Sequence, residues 1–598
     1  MITSSQLHGY FKLINAYLLR KLTRRNYLIL ACILIGLVAG LAAVAMKVMV
    51  HWVEEQVQQG LGYSHSNYIW LFLTPIVGIL LSVTYEQRFL GGKLIKGITK
   101  ILYSITRRKG ELDYRDMYGH LVTSALTVGM GGSAGLEAPI VLTGSAIGSN
   151  ISTQLQLGYK ERTLLLACGA SAGIAAIFNA PIAGVIFAAE VLLAEISIPV
   201  FVPLLISAAT ASVLSQFFFH GRLFALMEEG WRLKSIPLYF ILGILCGFIS
   251  VYMTRMTHYL EKKLSEYRLR IRKALVGGIL LGLLIVIFPP LYGEGYTTIE
   301  KLLNGNEALL LQRSLFAPMQ SEWMLLVFLG IIGILKVIAT SLTIGSGGNG
   351  GIFAGSLFTG ALTGFVFSRL VTLTGAIKIV ESNFVAVGMA GVIAGVVHAP
   401  LTAIFLIAEI TGGYSLFVPL MIVAAMSYFI TRYFDKTSVY TRPLQDEGTY
   451  FQADRDTFLL NSINLKDILE TNIETVPSKL PVKEVIVKFM RSKQNVFPVI
   501  DEQRKFAGIV LLEDLKDLLF DVEKSSNLTA KDVAVESPRT LTLHERMSDV
   551  MKKFDETSVW KLPVLSDKGA FIGFVSKKKI FTKYRELLKL YSHTDVVS

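Results

Sequence analysis

The stretch Gly169-Ala-Ser-Ala-Gly-Ile-Ala-Ala-Ile-Phe-Asn-Ala-Pro-Ile-Ala-Gly-Val-Ile-Phe-Ala-Ala-Glu190 returns without a gap as Gly388-Met-Ala-Gly-Val-Ile-Ala-Gly-Val-Val-His-Ala-Pro-Leu-Thr-Ala-Ile-Phe-Leu-Ile-Ala-Glu409, at an offset of 219 residues. Both copies keep an Ala-Pro pair, at Pro181 and Pro400, and a glutamate nine residues later. Upstream, Gly135-Leu-Glu-Ala-Pro139 faces Gly351-Ile-Phe-Ala-Gly355 at an offset of 216, where Thr143, Gly144 and Gly148 also meet Thr359, Gly360 and Gly364. Two homologous halves follow, and a chain of this kind is confined to folds that use one set of elements twice.

The repeated segments are apolar, which decides their medium. Of 598 residues, 52% are hydrophobic and only 17% charged, against roughly 25% charged in soluble domains. Mean hydropathy is +0.52, and the shortage of charge ends near residue 433. Apolar runs occur near 28–50, 68–84, 118–130, 163–190, 199–218, 236–253, 274–289, 323–343, 352–372, 384–410 and 415–431. They predict an all-α polytopic membrane body followed by a soluble tail. Several runs are too long for one span and too broken for a simple one. The 51 glycines concentrate inside the runs, and glycine-rich backbone at membrane depth is tolerated only when buried in protein or lining a cavity. With an internal repeat, that suggests a transport path whose site lies between the halves near the midplane, built from discontinuous helices.

Charge placement gives sidedness. Arg20, Lys21, Arg24 and Arg25 precede the first run without a small-residue cleavage site, which predicts a retained helix with a cytoplasmic N-terminus. Arg107, Arg108 and Lys109 mark one cytoplasmic loop. Lys262, Lys263, Arg268, Arg270, Arg272 and Lys273 mark another, with a lipid-binding face as the alternative. The net charge of +13 sits largely at the ends of apolar segments, so no nucleic-acid partner is expected. Cys32, Cys168 and Cys246 lie far apart with no CxxC spacing and are expected to be packing residues rather than a disulfide framework or metal site. No HExxH, phosphate-loop, Gly-x-Ser-x-Gly or strand-borne GxGxxG motif occurs, and no enzyme activity is expected.

Chemistry concentrates in Gly129-Met-Gly-Gly-Ser-Ala-Gly-Leu-Glu-Ala-Pro139 and its partner Gly345-Ser-Gly-Gly-Asn-Gly-Gly-Ile-Phe353. A glycine-rich turn opening a helix exposes backbone N–H groups at the positive end of the helix dipole, an anion site that needs no basic side chain. Tight helix packing is the other use for such glycines. Glu137, a carboxylate in an apolar segment at a helix N-terminus, can sit where an anion would sit and leave when protonated or displaced, the behaviour of a gate; capping its own helix is the alternative. The repeated Glu190 and Glu409 are expected to be structural, accepting bonds from loop N–H groups. His398, standing where Asn179 stands in the other half, is read as a satisfied polar residue.

These residues resemble the CLC family of chloride channels and anion/proton exchangers. The resemblance runs over nearly the whole chain and implies the family's inverted repeat of broken helices, a homodimer with one pathway per subunit, and chloride or another small anion as cargo. Gly135-Leu-Glu-Ala-Pro139 resembles the family's Gly-Arg/Lys-Glu-Gly-Pro motif, which gives Glu137 the gating role and places Gly135 and Leu136 at the anion. Gly350-Gly-Ile-Phe-Ala-Gly355 is similar to Gly-Gly-Ile-Phe-Ala-Pro, implying backbone N–H donors at Ile352 and Phe353. Tyr440, in Thr-Ser-Val-Tyr-Thr-Arg-Pro-Leu, matches the tyrosine whose hydroxyl faces the central ion; from its sequence alone an interfacial anchor fits too.

Departures from the family pattern matter as well. Lys93, in Gly91-Gly-Lys-Leu-Ile-Lys-Gly97, replaces the serine at the central ion; it could point at the pathway, snorkel, or concentrate anions at the cytoplasmic mouth, and the last is our expectation. Leu136 stands in for a basic residue. The family's internal proton-relay glutamate is Val191 here, and valine cannot carry a proton, so passive, channel-like conduction is expected, with anion/proton exchange as the alternative.

Composition changes after Tyr440. Asn495-Val-Phe-Pro-Val-Ile-Asp-Glu-Gln-Arg-Lys-Phe-Ala-Gly-Ile-Val510 parallels Trp560-Lys-Leu-Pro-Val-Leu-Ser-Asp-Lys-Gly-Ala-Phe-Ile-Gly-Phe-Val575, each predicting strand, turn, strand, helix. The tail resembles a pair of cytoplasmic α/β CBS domains. The expected organisation is a transport domain over 1–445, a linker over 446–462, and CBS motifs over 463–522 and 526–590. Such pairs commonly bind adenine nucleotides through a Thr/Ser and an Asp, but the first copy offers only Asp514 and the second only Ser576. Lys577, Lys578 and Lys579 read as a solvated face or as phosphate contacts. No cofactor is assigned; a nucleotide, another anionic ligand and a non-binding, dimer-stabilising tail stay open. Lean loops fit a bacterial inner membrane with both termini cytoplasmic.

Overall fold

The computed structural model describes residues 21–591 except Leu22, 61–67, 93–96, 194–196, 220–222, 225–229, Ala308, 311–320, Ala376, Lys378, Gly413, 448–459, 461–462, Lys493, Arg504, Asp517, 519–526, Pro538, Ser558 and 567–568. Lys93 therefore lies outside the described residues. The chain divides near residue 450 into two units.

The first unit is helical. The Ala-Pro pairs explain how over-long apolar runs become two helices each. Tyr159–Phe178 ends at Asn179, and Glu381–Val397 ends at His398; both cap residues adopt the left-handed conformation, with φ of 53° and 60°. Proline then opens the next helix, Pro181–Phe187 or Pro400–Thr411, because its missing N–H costs nothing in a first turn but would break a helix interior. Asn179 and His398 are thus equivalent C-caps.

The halves run in parallel order. Asp116–Gly129, Glu137–Gln154, Tyr159–Phe178, Pro181–Phe187 and Ile198–Phe218 in the first are answered by Glu322–Gly345, Phe353–Leu373, Glu381–Val397, Pro400–Thr411 and Phe417–Phe434 in the second. Arg24–Gly60, Tyr68–Phe89, Ile236–Ser265 and Arg270–Ile287 surround them. Among the described residues, eight helices are long and apolar enough to cross a membrane. Tyr159–Phe178 is almost wholly buried, whereas Ile198–Phe218 and Phe417–Phe434 leave residues such as Val213, Phe217 and Phe429 exposed, as lipid-facing walls require.

Glycines set the closest crossings, and identically in both halves. A Cβ at Gly144 would stand 2.1 Å from the Gly169 carbonyl oxygen, and one at Gly360 would stand 2.4 Å from that of Gly388. Gly148 and Gly364 approach the carbonyls of Leu165 and Phe384 so closely that a Cβ would lie 2.0 Å away in each case. These glycines serve helix packing. Cys32 and Cys168, remote in sequence, meet with their sulfurs 3.9 Å apart, as buried free thiols.

The second unit contains two copies of one motif. In the first, β1 (Val476–Pro477) pairs parallel with β2 (Val496–Ile500), which pairs antiparallel with β3 (Phe506–Leu511). In the second, β4 (Leu541–Thr542), β5 (Lys561–Leu565) and β6 (Phe571–Ser576) repeat this, and the register shifts at equivalent places, Val499/Ile500 and Val564/Leu565. The expected hairpins are present, and Lys577–Tyr591 is the helix after the second. Two-residue β1 and β4 were beyond the reach of periodicity. The copies exchange edges: Glu470, ahead of copy one, bridges to Phe574 of β6, while Val535 bridges to Ile509 of β3.

Candidate functional site

The repeat places its homologous glycines face to face. Gly135 N–H donates to the Gly351 carbonyl at 3.0 Å, and Gly351 N–H to the Gly135 carbonyl at 2.8 Å. This two-residue bridge brings together the N-termini of Glu137–Gln154 and Phe353–Leu373, with Leu136 and Ile352 as buried N-cap residues. Neither cap residue provides a side-chain acceptor, so first-turn N–H groups of both helices are left for an anion or carboxylate. Equivalent threonines pin the loops: Ser133 N–H donates to Thr343 Oγ1 at 3.1 Å, and Asn349 N–H to Thr127 Oγ1 at 3.0 Å. Thr127 and Thr343 obey the same offset of 216, a signal that would have revealed them.

Glu137 sits where the two N-termini meet, 2% exposed. Its carboxylate interacts with its own backbone N–H and with that of Ala354, at the start of the opposite half's helix. Oε1 accepts from the Tyr296 hydroxyl. Oε2 is buried without a hydrogen-bond partner among the described residues and lies against Gly135, where a Cβ would come within 1.9 Å of it. Gly135 thus admits the carboxylate as well as the bridge. Tyr296, which no sequence pattern singled out, opens the Tyr296–Leu303 helix and packs edge-on against Phe224, ring centroids 5.9 Å apart.

Tyr440 reaches the same region from the end of the unit. It is 6% exposed, its hydroxyl has no hydrogen-bond partner among the described residues, and the charge of Glu137 acts on it. Its backbone carbonyl accepts from Thr99 Oγ1 at 2.9 Å. A buried hydroxyl left unsatisfied costs of order 1–3 kcal/mol, so its position asks for a ligand. Phe353 is buried against Phe178, with ring centroids 6.0 Å apart. The structure therefore gathers Gly135, Leu136, Glu137, Ile352 and Phe353 at one junction, and buries Tyr440 where the charge of Glu137 acts on it.

Glu190 and Glu409 act across the halves. Glu190 accepts from the backbone N–H of Leu401 (3.2 Å) and Thr402 (2.8 Å) and from Thr402 Oγ1 (2.7 Å). Glu409 accepts from the N–H of Ile182 (3.0 Å) and Ala183 (2.8 Å). Their acceptor role is therefore to first-turn amides of the other half's proline-led helix, rather than to loop amides. Val191 lies in the π-helical turn Ala188–Leu193 and packs against the apolar core.

In the tail, Asp514 Oδ2 accepts from Leu511 N–H at 3.3 Å, and Ser576 Oγ donates to Glu470 Oε1 at 3.0 Å. Glu470 also takes Lys561 Nζ at 3.0 Å. A cavity of about 420 Å³ beside them is lined by Glu470, Lys561, Lys579, Gln494 and Phe574 among others, but not by Asp514 or Ser576. Partial burial opposes the Glu470 charge, yet the bonds from Lys561 and Ser576 and the nearby Lys579 outweigh it and hold the carboxyl below its usual range. A depressed folded value adds stability that is complete above the unfolded pKa of about 4.3 and is lost as pH falls through the folded one. Glu470→Gln is expected to lower the tail's melting transition in the full chain at pH 7, by about 1 kcal/mol. Calorimetry should show the gap closing below about pH 4.

The family model described as "Voltage gated chloride channel" matches residues 78–432, and a CBS domain model matches 465–521. A "Putative chloride channel protein ClcB-like" of Ralstonia nicotianae is 30% identical over 429 residues, 69% of this chain and 95% of that protein. "Chloride channel protein CLC-e" of Arabidopsis thaliana is 26% identical over 571 residues, 84% of this chain and 78% of its own. The fold is similar to that of a slow cyanobacterial Cl−/H+ antiporter, with a TM-score of 0.61 and 24% identity over 71% of this chain and 98% of the other. The repeated halves, the paired helix N-termini and these matches agree: the chain belongs to the voltage-gated chloride channel (CLC) family and carries a CBS-type tail.

Proposed function

We propose that this protein conducts chloride passively across a membrane, through the junction of the two helix N-termini, with Glu137 as a gate that competes with the anion. One observation carries this reading: the Glu137 carboxylate sits among N-terminal amides of both halves, and the buried Tyr440 hydroxyl, without a partner among the described residues, lies within its electrostatic reach. When the carboxylate leaves, the N–H groups of Glu137 and Ala354 that it occupied, those of Leu136, Ile352 and Phe353 beside the Gly135–Gly351 bridge, and the Tyr440 hydroxyl provide the donors that replace an anion's water. Channel-like rather than proton-coupled conduction is supported by Val191 and by Glu190, whose carboxylate is engaged by Leu401 and Thr402. From its sequence position alone, Lys93 is proposed to raise the local anion concentration at the cytoplasmic mouth. The protein is proposed to act as a homodimer in a bacterial inner membrane, with both termini and a regulatory CBS pair in the cytoplasm.

The test is flux in liposomes under an imposed chloride gradient, with voltage clamped by an ionophore and internal pH recorded. Chloride movement without gradient-driven proton movement is expected. Stoichiometric uphill proton movement would instead make the protein an anion/proton exchanger, and absence of chloride flux from folded protein would reject transport.

A further inference from the structure

A second carboxylate, which no motif predicted, stands beside the gate. Glu294 occupies the turn Gly293-Glu294-Gly295-Tyr296, where both glycines have positive φ, 62° and 90°. The left-handed backbone is cheap only for glycine, and it folds the turn across the glycine loop ahead of Glu137: Gly293 N–H donates to the Gly131 carbonyl at 3.3 Å. Tyr296, at the end of the turn, donates to Glu137. The Glu294 carboxylate interacts with the backbone N–H of Leu136, the residue preceding Glu137, and feels the Glu137 charge. Two carboxylates thus occupy the N-terminus of one helix, Glu137 on the inner amides and Glu294 on that of Leu136.

Two lysines supply the opposing charge. Lys336 is fully buried; its Nζ donates to the Gly293 carbonyl at 2.8 Å and lies 4.9 Å from the centre of the Phe358 ring. Lys47 donates to the Ala176 carbonyl at 3.2 Å, with Nζ 5.1 Å from the Phe219 ring. For both, Glu294 is the carboxylate whose charge acts on them. The charged and titratable groups around Glu294 are therefore Glu137 and Tyr296 at the gate, Lys336 on Glu322–Gly345, and Lys47 and Glu54 on Arg24–Gly60. Removing the Glu294 carboxylate leaves the Leu136 amide free at a helix N-terminus, beside a fully buried Lys336 and a half-buried Lys47 that hold a proton most readily when an anion enters with it. Those are the requirements of an anion site.

We propose that Glu294 is a second gating carboxylate, seated on the Leu136 amide in place of chloride, so that an anion reaches Glu137 only by displacing it. This rests on the transport reading, but its binding consequence does not. Chloride titrated calorimetrically into detergent-solubilised full-length Glu294→Gln is expected to bind at least about ten-fold tighter than to the wild type, since an internal competitor has been removed. A monodisperse elution profile and a melting temperature equal to that of the wild type are the folding control for Glu294→Gln. Equal chloride affinity in wild type and a monodisperse Glu294→Gln would overturn the proposal. In liposomes, Glu294→Gln is expected to conduct several-fold faster at neutral pH, and Glu137→Gln/Glu294→Gln faster than Glu137→Gln alone. A double variant no faster than Glu137→Gln would also overturn it. If folded wild type and both gate variants carry no chloride while Glu294→Gln still gains affinity, the anion subsite stands and the transport reading falls.

Discussion

Glu137→Gln is expected to raise chloride flux several-fold at neutral pH and to flatten the dependence of flux on pH. Glutamine keeps the size of the side chain and can still meet the Tyr296 hydroxyl, but it carries no charge to compete for the N–H groups of Glu137 and Ala354. A carboxylate at a helix N-terminus gains up to ~2 kcal/mol in partly buried geometry, and that preference is what an anion must overcome to replace it. The neutral amide mimics the protonated gate, so acidification should have nothing left to open. Flux measured in liposomes between pH 4.5 and 8 would show a falling curve with rising pH for the wild type and a nearly level one for the variant. Superimposable curves would remove Glu137 from the gate and leave it as a helix cap.

Gly364→Ala is expected to abolish correctly folded protein. A single methyl there would stand 2.0 Å from the Phe384 carbonyl oxygen, and its other neighbours are backbone as well, at Phe384 C and Val385 Cα. A side chain can change rotamer, whereas helix backbone must move whole. Overpacking of this kind costs about 3 kcal/mol or more, a large part of the 5–15 kcal/mol that holds a typical protein together. Gly330→Ala, on the Glu322–Gly345 helix with nothing within 4 Å of a new Cβ, is the internal control. It should be neutral or slightly stabilising, because alanine favours helix by up to ~1 kcal/mol over glycine. Yield of monodisperse protein and melting temperature in detergent are the readouts. Gly148→Ala, at the equivalent crossing in the first half, should fail in the same way.

Much of the membrane unit was legible because its causes are local or repeated. Hydrophobic runs mark helices in any apolar medium, Ala-Pro marks where a run must break, and one offset recurring along the chain marks two halves. Glu137 could be singled out because a carboxylate amid apolar residues is conspicuous on energetic grounds alone. Tyr296 and Glu294 could not, since a tyrosine or a glutamate in a turn between helices is unremarkable until the fold lays that turn across the glycine loop. The pairing of Cys32 with Cys168 and the capping by Glu190 and Glu409 of each other's partner helices were equally out of reach.

What the sequence determined by itself was most of the set of elements: where the apolar helices lie, that there are two equivalent sets, and that each presents a glycine-rich N-terminus carrying or facing a carboxylate. Capping, periodicity and proline chemistry act over a few residues, and they are read directly. Only the tertiary structure decided which amides share one carboxylate, that Gly135 bonds Gly351, that some glycines serve packing while others make room for Glu137, and that Glu294 and two lysines surround the gate. Those facts depend on contacts between separate elements, some of them, such as Gly135 with Gly351 and Glu137 with Tyr296, more than a hundred residues apart, and burial, which sets the cost of every charge involved, is a property of the assembled fold rather than of any stretch of chain.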